Sequence, residues 1–208
     1  VGENYINKDI YFYDNKFHSS LDIYYDRSIF DESIRNSTVF KRWYDMHYRC
    51  YSVKLHEKYP SYIGCSVCDE WKNFNTFYKW YQENYYEVEI NGKKSNMDLD
   101  KDIIHKGNKV YSPDICVYVP HEINTLFLSC KKMRGEYPLG VSWDSSKNRF
   151  RAETQKRKLG TFKTVEQAFA AYKREKEKII KELAKKYKEQ IPDRLYQAMV
   201  HWKIEIND

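Results

Sequence analysis

Asp98, Asp100 and Asp102 stand at alternate positions of one short stretch. In an extended segment a period of two puts all three carboxylates on one face, and such a face can hold a cation. Lys106-Gly107-Asn108-Lys109 then supplies a turn, and Val110-Tyr111 and Cys116-Val117-Tyr118-Val119 read as short strands. Pro120 is placed to start a helix carrying His121 and Asn124. Strand, loop, strand and helix with converging polar ends make a compact scaffold for a metal site. The competing reading makes the aspartates a solvated strand face and Asn108 a turn residue with positive φ.

A second group of residues could do metal chemistry of a softer kind. Cys65-Ser66-Val67-Cys68 has the spacing of a zinc half-site, and Cys50 and Cys116 would complete four sulfur ligands if folding brought them near. There is no second C-x-x-C, and free cysteine is among the most buried residue types, so packed core thiols are preferred over a structural Zn2+. Five cysteines, an odd number with no leader segment ahead of them, argue for reduced thiols over a disulfide framework. No βαβ pattern surrounds the pair to make it a redox dithiol.

L-D-K-D-I, then G-N-K-V-Y-S-P-D-I-C, then V-P-H-E-I-N resembles the ββα-metal motif of HNH nucleases, and more closely that of phage-encoded HNH homing-endonuclease-like proteins. The resemblance implies that Asp100 and Asn124 bind one Mg2+ or Mn2+ ion, with Asp102 beside them. It implies that Asn108 is the loop asparagine that orients the base. Lys101 occupies the position where many HNH motifs keep their general-base histidine. An ordinary lysine titrates near pH 10.4 and is a poor base at neutral pH, so His105 and His121 are the candidates for that role. His121 is favoured, because residues three apart share a helix face with Asn124.

The elements that must position these residues come next. Residues 1–36 lack a sustained period and read as an irregular arm with short extended pieces. From Thr38, Val39, Phe40, Trp43, Met46 or His47, and Cys50 recur at helical spacing, with Ser37 or Thr38 as cap. Arg42 and Arg49 share one face of that helix, and a solvated face is preferred over phosphate contact. After the Pro- and Gly-marked connection Tyr59–Cys68, Trp71, Phe74, Tyr78, Tyr81 and Tyr85 make an amphipathic helix with an aromatic core stripe. Glu87 to Lys94 is a strand and turn through Asn91-Gly92. The first module spans 37–127, and residues 128–136 form a linker.

Beyond the linker the charge changes. Residues 134–188 hold 16 Lys and Arg against 7 Asp and Glu, a net of +9, so the rest of a chain carrying +6 sums to −3. Leu139 to Asp144, Asn148 to Gln155 and Lys158 to Phe162 read as three strands. Thr164-Val165-Glu166-Gln167 has the residues of a capping box, and Val165, Ala168, Phe169, Tyr172, Ile179, Ile180 and Leu183 make a long amphipathic helix. G-V-S-W-D, R-F-R-A-E-T and L-G-T-F-K-T-V-E-Q-A-F-A-A-Y resemble the AP2 DNA-binding domain, which implies that the sheet face enters the major groove of double-stranded DNA. Phe150, Ala152 and Thr154 must face the helix, which turns Arg149, Arg151, Glu153 and Gln155 outward. Arg suits guanine edges and Gln adenine, while Lys156, Arg157 and Lys158 suit phosphates. Ser142 and Asp144 stand where plant AP2 domains carry arginine, so their sequence preference does not transfer.

The fold class is therefore α+β. An N-terminal helical module with a ββα-metal-like (HNH-like) motif is followed by an AP2-like domain over 137–190, a three-stranded antiparallel sheet packed on one helix. Residues 191–208 form a last helix and tail. A mean hydropathy of −0.86 and 32% charged residues fit two modest cores better than one large one. No apolar run can span a bilayer, so no membrane partner is expected. The expected location is the cytoplasm of a phage-infected bacterial host. Two functions compete: a divalent-metal-dependent DNA endonuclease, and a DNA-binding regulator or inhibitor of host machinery that keeps an inactive nuclease fold.

Overall fold

The structure, a computed structural model, describes residues 4–6, 23–26, 32–127, 136–154 and 157–208. In chain order the elements are β1 (Asn4–Ile6), β2 (Tyr24–Asp26), α1 (Thr38–Tyr51), α2 (Val53–Lys58), β3 (Ser66–Val67), α3 (Phe74–Asn84), β4 (Glu89–Ile90), β5 (Lys93–Lys94), β6 (Met97–Asp100), β7 (Val110–Tyr111) and β8 (Val117–Pro120). They continue with α4 (His121–Asn124), β9 (Val141–Asp144), β10 (Arg149–Glu153), β11 (Lys158–Phe162), α5 (Val165–Tyr187) and α6 (Asp193–His201). The mixture of helices with small, mostly antiparallel sheets is α+β. Two compact units divide the chain: residues 1–87 with 97–118, and residues 88–96 with 119–208. The division falls at Val119, earlier than the boundary at 127 expected from the sequence. The linker expected at 128–136 lies, apart from Glu136, outside the described residues.

In the first unit, the Ser37 hydroxyl accepts the Phe40 N–H at 3.2 Å and starts α1, as its position predicts. Val39, Phe40, Trp43, Met46, His47 and Cys50 are all buried, so the face includes both of the alternatives at 46 and 47. The aromatic stripe of α3 differs from its expectation. The 3-10 turn Asp69–Lys72 precedes the helix and shifts its phase, so the buried set is Trp71, Phe74, Phe77 and Trp80. Tyr78 and Tyr81 flank it, and Tyr85 is 36% exposed. Phe40 and Trp43 each meet Phe74 edge-on and meet each other tilted, with centroids 5.0 to 5.4 Å apart. Each such buried ring contributes roughly 2–3 kcal/mol. The expected extended pieces of the N-terminal arm are β1 and β2, which pair antiparallel.

In the second unit, β11, β10 and β9 form an antiparallel meander in that order, against which α5 packs. Thr164 caps α5 by accepting the Gln167 N–H at 3.3 Å. The buried stripe is Ala168, Phe169, Tyr172, Lys176, Ile180, Ala184 and Tyr187. Val165, Ile179 and Leu183, expected in it, are half-buried because the stripe drifts along a helix of 23 residues. The hairpin over Glu87 to Lys94 forms as β4 and β5, and Asn91 (φ 53°) and Gly92 (φ 73°) make the primed turn that their order predicts. Helix α6 follows Pro192 and packs on α5 through Leu195 and Met199, and Ile204 donates its N–H to Glu177 at 3.0 Å.

Gly140 enters the sheet at φ +76°, and a Cβ there would stand 2.0 Å from Cδ2 of Tyr172. Gly140→Ala combines left-handed strain with a collision against a buried ring, so we expect a loss of about 2 kcal/mol. Urea unfolding followed by circular dichroism would measure it, and an unchanged midpoint would remove this account of the glycine.

Candidate functional site

Strand β6 buries Met97 and Leu99 and leaves Asp98 and Asp100 on the other side, the alternation its sequence predicts. It pairs with β8, whose first residues Val117 and Tyr118 belong to the same unit. The strand ends at Asp100, so Asp102 lies in the following bend and the three carboxylates do not share one strand face. Asp98 lies 3.6 Å from Arg42. Asp100 accepts through one oxygen, Oδ1, the N–H groups of Asp102 at 2.8 Å and Ile103 at 2.7 Å. Burial first, and the neighbouring Asp102 charge second, push its carboxyl up to about 6 against those two hydrogen bonds.

Lys101 does not resemble a surface lysine. Its side chain is 8% exposed, its Nζ lies 3.0 Å from Asp102 Oδ2, and it stands over the Tyr111 ring at 5.8 Å. Burial works to lower its pKa, but the charge and hydrogen bond of Asp102 together with the Cys65 and Asp100 charges outweigh it and hold its ammonium above the ordinary lysine range. A fixed ammonium is no general base, and Asp102 already carries a cation.

Asn108 closes the same loop. Its Nδ2 donates to the carbonyls of Lys101 and Val110, both at 2.7 Å, and its Oδ1 accepts the Val110 N–H at 3.2 Å. The positive φ of the turn belongs to Gly107 (+82°), not to Asn108. His105 is exposed on this loop, and its carbonyl accepts the Asn108 N–H at 3.0 Å. Strand β7 holds the far end of the loop by parallel pairing with β3.

His121 and Asn124 belong to the second unit, on the one-turn helix α4, where the His121 N–H is donated to Asn96 at 2.8 Å. Pro120 is the residue before the helix, as expected from its fixed φ. Glu122 accepts the Tyr187 hydroxyl at 3.0 Å and ties α4 to α5.

Cys50, Cys65 and Cys116 are buried and Cys68 is half-buried, all as free thiols of the first unit. Burial pushes the Cys50 thiol up to about 12 and raises those of Cys116 and Cys68. Among the described residues no three His, Cys, Asp or Glu side chains form a group that could hold a metal ion. Cys65 lies near enough to Cys50, and Cys68 to Cys116, for their charges to act on one another. A hard cation at Asp100 would take oxygen and water ligands, and a half-buried carboxylate that uses only Oδ1 for its two backbone bonds suits it.

In the second unit, register fixes the two faces of the basic sheet. Ala152 pairs with Val141 and Gly160, and Ala152 and Val141 are buried. The next row, Ser142, Arg151 and Thr161, therefore points away from α5. Arg151 donates to Ser142 at 3.4 Å and lies 3.7 Å from Glu153, while Arg149 and Lys158 are exposed. The Arg157 guanidinium donates to Glu175 of α5 at 3.0 Å and is otherwise exposed. Asp144 caps the β9–β10 turn by accepting from Ser146 and Lys147, and the Ser146 hydroxyl holds its carboxyl below the usual range. Gln155 and Lys156 lie outside the described residues.

One grouping escaped the sequence reading. Asp45, Tyr48 and Arg49 of α1 line a hollow of about 280 Å³ with Leu55, Tyr59 and Tyr62. The i, i+3 and i+4 spacing of the first three was its only signal. In comparisons with known proteins, no family model, curated protein or solved structure matches this chain.

Proposed function

We propose that this chain is a divalent-metal-dependent DNA endonuclease of HNH-like type, with an AP2-like sheet as its DNA-binding surface. The observation that carries the reading is the Asp100 loop. A half-buried carboxylate is held by two backbone N–H groups beside a second carboxylate, and Asn108 ties down the carbonyl of the residue that follows it. Such a raised carboxylate gains most from a cation, and a bound Mg2+ or Mn2+ would supply charge stabilisation to a phosphodiester. His105 and His121 are the residues available to accept a proton from water, because Lys101 is held as an ammonium by Asp102. The net of +9 over residues 134–188 supports duplex DNA as partner. Among the described residues no helix is long and apolar enough to cross a membrane.

The test is incubation of the full chain with plasmid and phage DNA in Mg2+ or Mn2+ and in EDTA. Cleavage in the first and none in the second is the expected result. The pairing of buried Lys101 with Asp102 favours one second reading, a DNA-binding regulator or inhibitor with an inactive nuclease fold. Binding without cleavage under every condition would select it.

Binding has its own expected result. Arg149→Ala with Arg151→Ala should lower duplex affinity about tenfold at moderate salt and flatten the dependence of log K on log salt by about 2. A titration at several salt concentrations measures both. If affinity and slope stay unchanged, the sheet face is not the binding surface.

A further inference from the structure

Helix α5 carries seven Lys and Arg against four Glu over Val165–Tyr187, and the two signs are not spread evenly around it. Arg174, Lys178, Lys181 and Lys185 follow one another by steps of four, three and four. On a helix of 3.6 residues per turn those steps hold all four within about 60° of one another, along a line of about 16 Å. That line lies opposite the stripe of Tyr172, Lys176 and Ile180 that packs inward. Arg174, Lys178 and Lys185 are exposed, and Lys181 is half-buried.

The acids of the helix are engaged elsewhere. Glu175 accepts from Arg157 at 3.0 Å, and Glu177 accepts the Ile204 N–H at 3.0 Å and lies 3.9 Å from Lys173. Glu166 stands in the first turn, more than two turns ahead of Arg174. Glu182 alone approaches the ridge, 3.8 Å from Lys178, and both side chains are more than half exposed, so water and salt screen that pair. Among the described residues Arg174, Lys181 and Lys185 stand in no ion pair.

What such a ridge can hold follows from what it lacks. The large apolar side chains exposed among the described residues of the second unit are Trp143 and Ile206, and neither is on α5. With nothing apolar to insert, the ridge is not built to lie in a membrane interface, and it has no buried aromatic anchor of the kind that centres a protein interface. A row of cations alone suits a partner whose charges repeat along a line and whose binding is driven by counterion release, which is the phosphate backbone of a nucleic acid. The row Ser142, Arg151 and Thr161 points away from α5, so the sheet face and the ridge look to opposite sides of the unit. Duplex DNA has a persistence length of about 150 base pairs, so one short segment cannot lie on both sides. We propose that the outer ridge of α5 is a second surface for duplex DNA, which lets one chain bridge two segments, one on the sheet and one on the helix. The bridging rests on the sheet being a DNA surface, as proposed above; the ridge itself does not.

The experiment uses the full chain in EDTA, so that binding alone is read. A duplex fixed to beads and loaded with the chain should retain a second, dye-labelled duplex. Arg174→Gln with Lys178→Gln, Lys181→Gln and Lys185→Gln removes the four charges with a residue that keeps helix propensity, and an unchanged circular dichroism spectrum shows that the variant is folded. It should retain about a tenth or less of the second duplex. Lys178→Arg with Lys181→Arg and Lys185→Arg, which keeps every charge, should retain as much as the unaltered chain. A second arm isolates the ridge: in a chain already carrying Arg149→Ala and Arg151→Ala, adding the four glutamines should flatten the dependence of log K on log salt by about 3.6 more.

Undiminished retention by the four-glutamine variant would assign bridging to paired copies or to another surface and overturns the inference, as does a salt slope that the glutamines leave unchanged. Displacement of the second duplex more readily by phosphatidylserine vesicles or by polyglutamate than by free duplex, at equal charge, would give the ridge another partner and also overturns it. No retention together with a ridge-dependent salt slope supports the ridge and faults the sheet, so the two readings fail separately.

Discussion

Asp100→Asn should abolish metal-dependent cleavage of duplex DNA, a loss of at least about a thousandfold, while leaving DNA affinity close to that of the unaltered chain. The amide keeps an oxygen where Oδ1 accepts the N–H groups of Asp102 and Ile103, so the loop retains its two bonds. It removes only the negative charge. Asp100→Ala would confuse the outcome, because two backbone donors would lose their acceptor at a cost of about 1–3 kcal/mol. The asparagine variant should also unfold at a higher temperature. The carboxyl is pushed up to about 6 by burial and by Asp102, so its ionised form destabilises the fold at neutral pH, and the neutral amide relieves that. Lost activity with gained stability is the signature of a residue held for function. Cleavage surviving in Asp100→Asn would remove this aspartate from the reaction. A variant that is inactive and less stable would make Asp100 a structural cap.

The sequence made the regular elements legible wherever one period dominated. Ser37, Thr164 and Asn91-Gly92 marked a helix start, a second helix start and a hairpin turn, because caps and primed turns depend on local chemistry alone. The α3 stripe was legible as amphipathic but not in phase. A 3-10 turn of four residues ahead of the helix cannot be told from helix by spacing, and it exchanged Tyr78 for Phe77 and Trp80.

Pairings between charged groups distant in sequence were less legible still. Nothing in the order of residues says that Arg42 meets Asp98 or that Arg157 turns to Glu175. Lys101 carries the same lesson within the candidate site. Its identity was plain and argued against a general base, but only the fold reveals it as a buried ammonium held by Asp102. Short strand pairing did the same for the aspartates: the period of two held for Asp98 and Asp100 and ended with β6 at Asp100.

The second large effect concerns pH and the core of the first unit. His47 is fully buried on α1, with Nδ1 2.9 Å from the Trp43 carbonyl and the Trp43 ring centroid 4.8 Å away. Nδ1 therefore carries a hydrogen and donates it, while Nε2, buried with no hydrogen-bond partner among the described residues, keeps its lone pair and the ring is neutral. Burial lowers its pKa to about 4, with the Trp43 hydrogen bond opposing and the Lys72 charge adding to the shift. An unfolded chain would protonate the same ring near pH 6.5, so between 6.5 and 4 the unfolded state binds more protons than the folded one. The contribution of His47 is thus fully present above pH 6.5 and is lost as pH falls toward 4, a change of about 3 kcal/mol. Asp100, raised to about 6, works in the opposite direction over the lower part of that range, so the total curve mixes the two. The difference between the unaltered chain and His47→Phe separates them, because a phenyl ring fills the same space without titrating. Denaturant unfolding at pH 7, 6, 5 and 4 should show the two proteins within about 1 kcal/mol of each other at pH 7 and diverging steadily below it, the phenylalanine variant being the more stable in acid. Parallel curves would show that His47 is solvated or already charged in the folded state, and the acid sensitivity of this core would need another origin.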